Sequence, residues 1–205
     1  MRYLSFDIEA TGLDEDCLII EMGMVPFDSQ TGLADELEDG YYIKCPSFEE
    51  LKPKLDPWVI DHNKELIEKA HKQGKTLAEF KNHFTNYLES KAIKEYFNHS
   101  RIVLFGKSMN SIDLPFLNRD LGWDFMRNYF SHRTMDLTSY IYGLIDMNFI
   151  PKSAESGSNL MNMLEMGEVA HTALEDARNT ALMYLKLLED ISEKIETPPG
   201  GLYRK

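Results

Sequence analysis

Apolar residues open the chain in two runs, Arg2 to Ile8 and Cys17 to Phe27, bounded by turn signals such as Thr11-Gly12 and Asp28-Ser29-Gln30-Thr31-Gly32. Short apolar-rich runs punctuated in this way predict strands. Gly40 to Lys44 predicts a third, and three strands joined by short turns predict antiparallel pairing. After Pro57 the spacing turns helical: Trp58, Ile60, Leu66 and Ile67 come first, then Leu77, Phe80, Phe84, Tyr87 and Leu88, with Gly74 as a break between the two stripes. Arg101 to Phe105 predicts a buried strand ending at Gly106, Leu114 to Leu121 a helix closed by Gly122, and Tyr129 to Asp136 another strand of mixed pattern. Ala173, Ala177, Ala181, Tyr184, Leu185, Leu188 and Ile191 form one apolar stripe on a long helix from Thr172 to Ile195. Residues 197–205, with Pro198-Pro199-Gly200-Gly201, predict a frayed tail. Strands first, then alternating helices and strands, predict a single α/β domain over residues 1–196, with a mixed five-stranded sheet covered by helices on both faces.

A chain of 205 residues can bury a sufficient core without disulfides or structural metals. Its two cysteines, Cys17 and Cys45, read as reduced residues rather than a bridge. No apolar run approaches the length of a membrane span, and the first seven residues reach Asp7 too soon for a signal-peptide core, so a cytoplasmic protein is expected. The net charge of -12 changes the picture more. It leaves no broad basic face for a long duplex, and it suits short or single-stranded substrates held by local contacts and metal ions.

Three groups of polar residues are candidates for chemistry, although Asp113 by itself also suits an ordinary helix start. Asp7 and Glu9 are two apart on the first predicted strand, so both leave the same face with α-carbons about 6.6 Å apart, while Ile8 points into the core. Such a pair raises its own pKa values unless a cation holds it ionised. Pro115 fits only the first turn of a helix, which puts Asp113 at that helix's N-terminus. In His171-Thr172-Ala173-Leu174-Glu175-Asp176, Thr172 and Glu175 have capping-box spacing, so His171 and Asp176 occupy the two positions that ordinarily carry an apolar staple. Together Asp7, Glu9, Asp113 and Asp176 carry four formal negative charges, which match two divalent ions; an all-oxygen set selects hard cations, so magnesium is expected, with manganese able to substitute.

The segments Phe6-Asp7-Ile8-Glu9-Ala10-Thr11-Gly12-Leu13, Asn110 to Leu117 and His171 to Ala177 resemble, in order and across nearly the whole chain, the three motifs of the DEDDh, or DnaQ-like, 3'-5' exonucleases. The histidine stands five residues before the last aspartate, as in the DEDDh subclass, and Thr172 stands where the tyrosine subclass has Tyr. The resemblance implies a ribonuclease H-like fold and a two-metal mechanism. In that scheme Asp7 bridges both ions, Glu9 and Asp176 hold the ion with the attacking water, Asp113 holds the other, and His171 is the general base. It also implies that Thr11, Gly12 and Leu13 contact the terminal nucleotide, with Asn110 a further substrate-binding candidate and Met109 and Ile112 read as packing positions.

Leu55 to His62 and His132 to Ser139 look somewhat like oligoribonuclease, whereas Phe6 to Leu13 looks more like proofreading members. The acidic surface favours a small exoribonuclease acting on short or single-stranded 3' ends, with Trp58 able to stack on a base or to serve as core. Two alternatives stay open: a proofreading or repair enzyme on DNA, and a module that holds nucleic-acid ends without cutting them. The intact acids and His171 argue against the second. A homodimer is compatible with the sequence; a polymerase partner is not favoured, because the tail from Thr197 leaves little room for a docking module.

Overall fold

The computed structural model describes residues 1–167 and 172–196. His171 and the tail predicted over 197–205 lie outside them. In chain order the strands are β1 (Arg2–Ala10), β2 (Ile19–Asp28), β3 (Gly32–Leu33), β4 (Asp39–Tyr42), β5 (Leu104–Gly106) and β6 (Met135–Asp136). The helices are α1 (Phe48–Leu51), α2 (Pro57–His62), α3 (Lys64–Gln73), α4 (Leu77–Glu89), α5 (Lys91–Tyr96), α6 (Asp113–Leu121), α7 (Trp123–Tyr129), α8 (Leu137–Asp146), α9 (Gly157–Met163) and α10 (Ala173–Glu196).

The sheet runs β3-β2-β1-β5-β6, with β4 pairing β2 as well. The β1–β2, β2–β3 and β2–β4 pairs are antiparallel, as three strands linked by short turns should be, and β5 and β6 join in parallel. This makes six strands rather than five, because Gly32–Leu33 pairs briefly with the end of β2. The strand predicted over Tyr129 to Asp136 shrinks to Met135–Asp136. Its first part is the end of α7, and Phe130 keeps only an isolated bridge to Ile102.

Strand alternation gives the sheet two unlike faces. Leu4, Phe6 and Ile8 point into one apolar cluster with Phe80, Phe84, Phe116 and Phe130. Tyr3 points the other way and packs with Phe27, Phe105 and Tyr184. On that second face Ser5 donates to the Ala177 carbonyl at 2.7 Å, so α10 lies across β1 at this point.

Gly23 lets α10 come that close. A Cβ at Gly23 would run into the backbone of Ala173 and Leu174, leaving no side chain that could yield. Gly23→Ala is therefore expected to lower stability by about 3 kcal/mol or more, the upper end of overpacking costs, read as a lower melting temperature. An unchanged melting temperature would contradict the close approach.

Candidate active site

Asp7 is paired in register with Gly23, and Glu9 with Glu21. Cross-strand partners share a face, so both β1 carboxylates stand beneath the start of α10. That helix begins where the capping-box spacing places it. Glu175 N–H donates to Thr172 Oγ1 at 3.3 Å, the Thr172 hydroxyl donates to the Glu175 carboxylate at 2.9 Å, and Asp176 N–H donates to the Thr172 carbonyl at 2.9 Å. Asp176 thus leaves the first turn of α10. One carboxylate oxygen from each of Asp7, Glu9 and Asp176 lies within 4.8 Å of the others.

Asp113 arrives by a separate route. Leu4 N–H donates to the Val103 carbonyl just before β5, so Ile8, four residues on, turns its N–H toward the same edge after β5 has ended. The Asp113 carboxylate accepts that hydrogen bond at 3.1 Å from the first residue of α6, and only 4% of the residue is exposed. It therefore sits against the backbone between Asp7 and Glu9, outside the trio that shares the 4.8 Å spacing.

Concentrating these acids is costly. Burial, then the charges of Asp113, Asp176 and Glu9, hold the Asp7 carboxyl well above the usual carboxylate range, with Lys107 opposing. Burial, followed by Asp176 and Glu21, pushes Glu9 to about 7, against a hydrogen bond from Asn63. Burial likewise raises Asp113 to about 7 despite the Ile8 N–H. An all-carboxylate cluster of this kind fits a hard divalent cation, whose charge would return the acids to their ionised form.

Beside the acids lies a cleft of ≈ 520 Å³ lined by Glu9, Thr11, Gly12, Leu13, Trp58 and Ile112, among others. Leu13 is 78%, Trp58 59% and Ile112 38% exposed, an apolar rim in a chain that otherwise hides most such side chains. Trp58 stacks on His62 with ring centroids 4.3 Å apart, and Asp56 caps its helix by accepting from Trp58 N–H at 2.8 Å. Thr11 is turned inward, exchanging two hydrogen bonds of 2.9 Å with Leu18 and so closing the loop that carries Gly12 and Leu13. A Cβ at Gly12 would meet Cys17 Sγ at 2.7 Å.

Asn110 stands elsewhere, bonded to Thr134 and Asp136. Met109 is buried as a packing residue, whereas Ile112 is at the cleft rim rather than in the core. Both cysteines are free. Among the described residues, no helix is long and apolar enough to cross a membrane.

Two residues of the site escape a reading of the sequence. Glu21 is buried and accepts from Ala173 N–H at 3.2 Å, tying β2 to the first turn of α10. Its signal is a lone charge inside an otherwise apolar strand. Asn63, between α2 and α3, reaches Glu9 at 3.5 Å and carries no local signal.

A family model described as the 3'-5' exoribonuclease Rv2179c-like domain matches residues 2–188. No curated protein matches the chain. Among solved structures, the nuclease domain of 3'hExo, a DEDDh family member bound to rAMP, shares 16% identity at a TM-score of 0.63, with 92% of each chain covered. A 3'-exonuclease described in 3'-end specific recognition of histone mRNA stem-loop shares 14% at 0.61, covering 92% of this chain and 82% of that one. E. coli exonuclease I in complex with a dT13 oligonucleotide shares 13% at 0.65; 96% of this chain aligns with 43% of that enzyme. Identities this low show a common ribonuclease H-like fold.

Proposed function

Because the chain belongs to the 3'-5' exoribonuclease Rv2179c-like domain family, we propose that it removes nucleoside 5'-monophosphates from the 3' end of short or single-stranded RNA. It is a 3'-5' exonuclease of the DEDDh class, and the finer reading concerns its substrate, its metal and the part each residue plays. The observation that carries this reading is the trio of carboxylate oxygens from Asp7, Glu9 and Asp176 within 4.8 Å, set beside a cleft with an apolar rim.

In this reading Asp7, Glu9, Asp113 and Asp176 hold two magnesium ions. The ions, when bound, neutralise the phosphodiester and stabilise the attacking and leaving oxygens. Asp7 stands centrally among the acids, and Asp113 is kept in place by the Ile8 N–H. Glu21 and Gly23 fix the first turn of α10 and so the position of Asp176. His171, which directly precedes the Thr172 cap, takes the proton from the attacking water. Leu13 and Trp58 hold the terminal base, the one by packing and the other by its exposed ring face, while backbone near Gly12 admits the sugar. The assignment to RNA draws on the family description and on the acidic surface, and the enzyme is read as cytoplasmic and free of a polymerase partner.

Trp58→Ala is expected to raise KM for an RNA dinucleotide about tenfold with a smaller change in kcat, since a stacked base contributes roughly 1–3 kcal/mol. An unchanged KM would remove Trp58 from the base site. Matched RNA and DNA oligomers digested side by side with magnesium test the sugar preference. Faster release from RNA is the expected result, and equal or faster release from DNA would favour the repair reading.

A further inference from the structure

Outside the acidic site a second groove is lined by two arginines. The described residues contain six arginines. Arg2 pairs with Asp28, Arg119 with Asp120, and Arg178 with Asp35 and Glu38. The other three, Arg101, Arg127 and Arg133, form no ion pair among the described residues, although the chain holds 34 acidic side chains against 22 lysines and arginines. Two of them, 26 residues apart in sequence, meet in space. Arg101 and Arg127 line a groove of ≈ 440 Å³ together with His132 and Trp123, and Arg133 follows His132 in the chain.

Trp123 is 63% exposed at this groove. Gly122, at φ +90°, takes the left-handed turn between α6 and α7 that presents it there. Leu114 also lines the groove and is the neighbour of Asp113 on α6. At the same end, the Thr134 hydroxyl donates to Asn110 Oδ1 at 3.3 Å, and Asn110 is three residues before Asp113. The groove is therefore continuous with the loop that delivers the fourth carboxylate.

We propose that this groove is a second nucleic-acid contact, holding the nucleotides upstream of the 3' end with phosphates against Arg101 and Arg127 and a base stacked on Trp123. Unpaired guanidinium groups beside an exposed indole suit a polyanion with flat bases, and sequence-tolerant stacking suits a strand that moves through the site. The groove gives an acidic enzyme a local attraction for strands longer than the cleft holds. That role depends on the exonuclease reading, but binding in the groove does not.

The test is fluorescence anisotropy with a 5'-labelled 12-nucleotide oligouridylate and Asp7→Asn protein in EDTA, so that binding is read without cleavage. Replacing Arg101 and Arg127 together by Ala should weaken binding about tenfold and flatten the slope of log affinity against log salt by about 1.4, the single-strand value for two phosphate contacts. Trp123→Ala should weaken it roughly tenfold with little change in slope. Removing two charges elsewhere, at Lys72 and Lys91, should have a much smaller effect. In the active enzyme, the Arg101/Arg127 variant should lower kcat/KM on the 12-mer relative to a dinucleotide. The proposal is overturned if the Lys72/Lys91 variant loses as much affinity, if a glutamate-rich peptide of equal charge displaces the RNA equally well, or if 12-mer and dinucleotide rates fall together. Should the chain cut nothing at all, the exonuclease reading fails while the anisotropy result still decides the groove.

Discussion

Asp7→Asn should cost at least about a thousandfold in exonuclease rate, a loss of ~4 kcal/mol in transition-state stabilisation, while leaving the protein more stable in the absence of metal. The two effects have one cause. Asp7 is held well above the usual carboxylate range by burial and by Asp113, Asp176 and Glu9, so an uncharged amide of the same shape relieves repulsion that the metal-free fold otherwise carries. A residue serving the fold alone would behave in the opposite way, because its replacement would lower the melting temperature. Rates on a labelled RNA oligomer with magnesium, set beside thermal melts in EDTA at pH 8, separate the two. Lost activity with a raised melting temperature is the expected pair of results; retained activity, or a lowered melting temperature, would remove Asp7 from the centre of the site.

The second large effect is on stability against pH. Glu9 and Asp113 both have folded-state pKa values of about 7, above their ordinary values of 4.5 and 3.8. Between those limits the folded protein binds more protons than the unfolded chain, so this contribution is fully present below the ordinary carboxylate pKa and is lost as pH rises through about 7. For Glu9 alone the loss is about 3 kcal/mol, because each tenfold difference in proton affinity between the folded and unfolded chain is worth on the order of 1.4 kcal/mol. That corresponds to roughly 6–12 °C in melting temperature for a domain of this size. In EDTA the protein should accordingly melt lower at pH 8 than at pH 5, and saturating magnesium or manganese should recover much of the difference at pH 8 and little at pH 5. A metal-free protein equally stable at both pH values would contradict the burial of these acids, and a metal response independent of pH would contradict their role as its ligands.

Much of this site can be read in the chain because its elements carry local signals. Alternation on β1 separates Asp7 and Glu9 from Ile8, and the structure keeps Ile8 in the core. Pro115 locates the start of α6 and hence Asp113; the Thr172–Glu175 spacing locates the start of α10 and hence Asp176. Less legible is what depends on distant partners. The role of Glu21 becomes visible only when Ala173, 152 residues later, offers its amide. Asp136 and Thr134, the partners of Asn110, likewise lie more than twenty residues away from it.

The strand expected from Tyr129 fails for a comparable reason. Its partner β5 is only three residues long, so most of the segment has nothing to pair with, and Tyr129 instead ends α7. Helix α8, absent from the elements predicted above, does carry local signals: Asp136 accepts from Thr138 N–H at 2.9 Å as its cap, and Leu137, Ile141 and Leu144 fall on one buried stripe. The groove around Trp123 is invisible in the sequence, because Arg101, Trp123 and Arg127 come to line one groove only through the fold.

If four acids at the start of α6, the start of α10 and the end of β1 serve metal-dependent removal of nucleotides from a 3' end, the products must show it. The most direct test is the product pattern from a 5'-labelled single-stranded RNA 12-mer, followed in time with magnesium and with EDTA. Stepwise shortening from the 3' end, nucleoside 5'-monophosphates as the released species and no turnover in EDTA are the predicted result. Internal cuts, nucleoside 3'-monophosphates, or undiminished turnover in EDTA would contradict it.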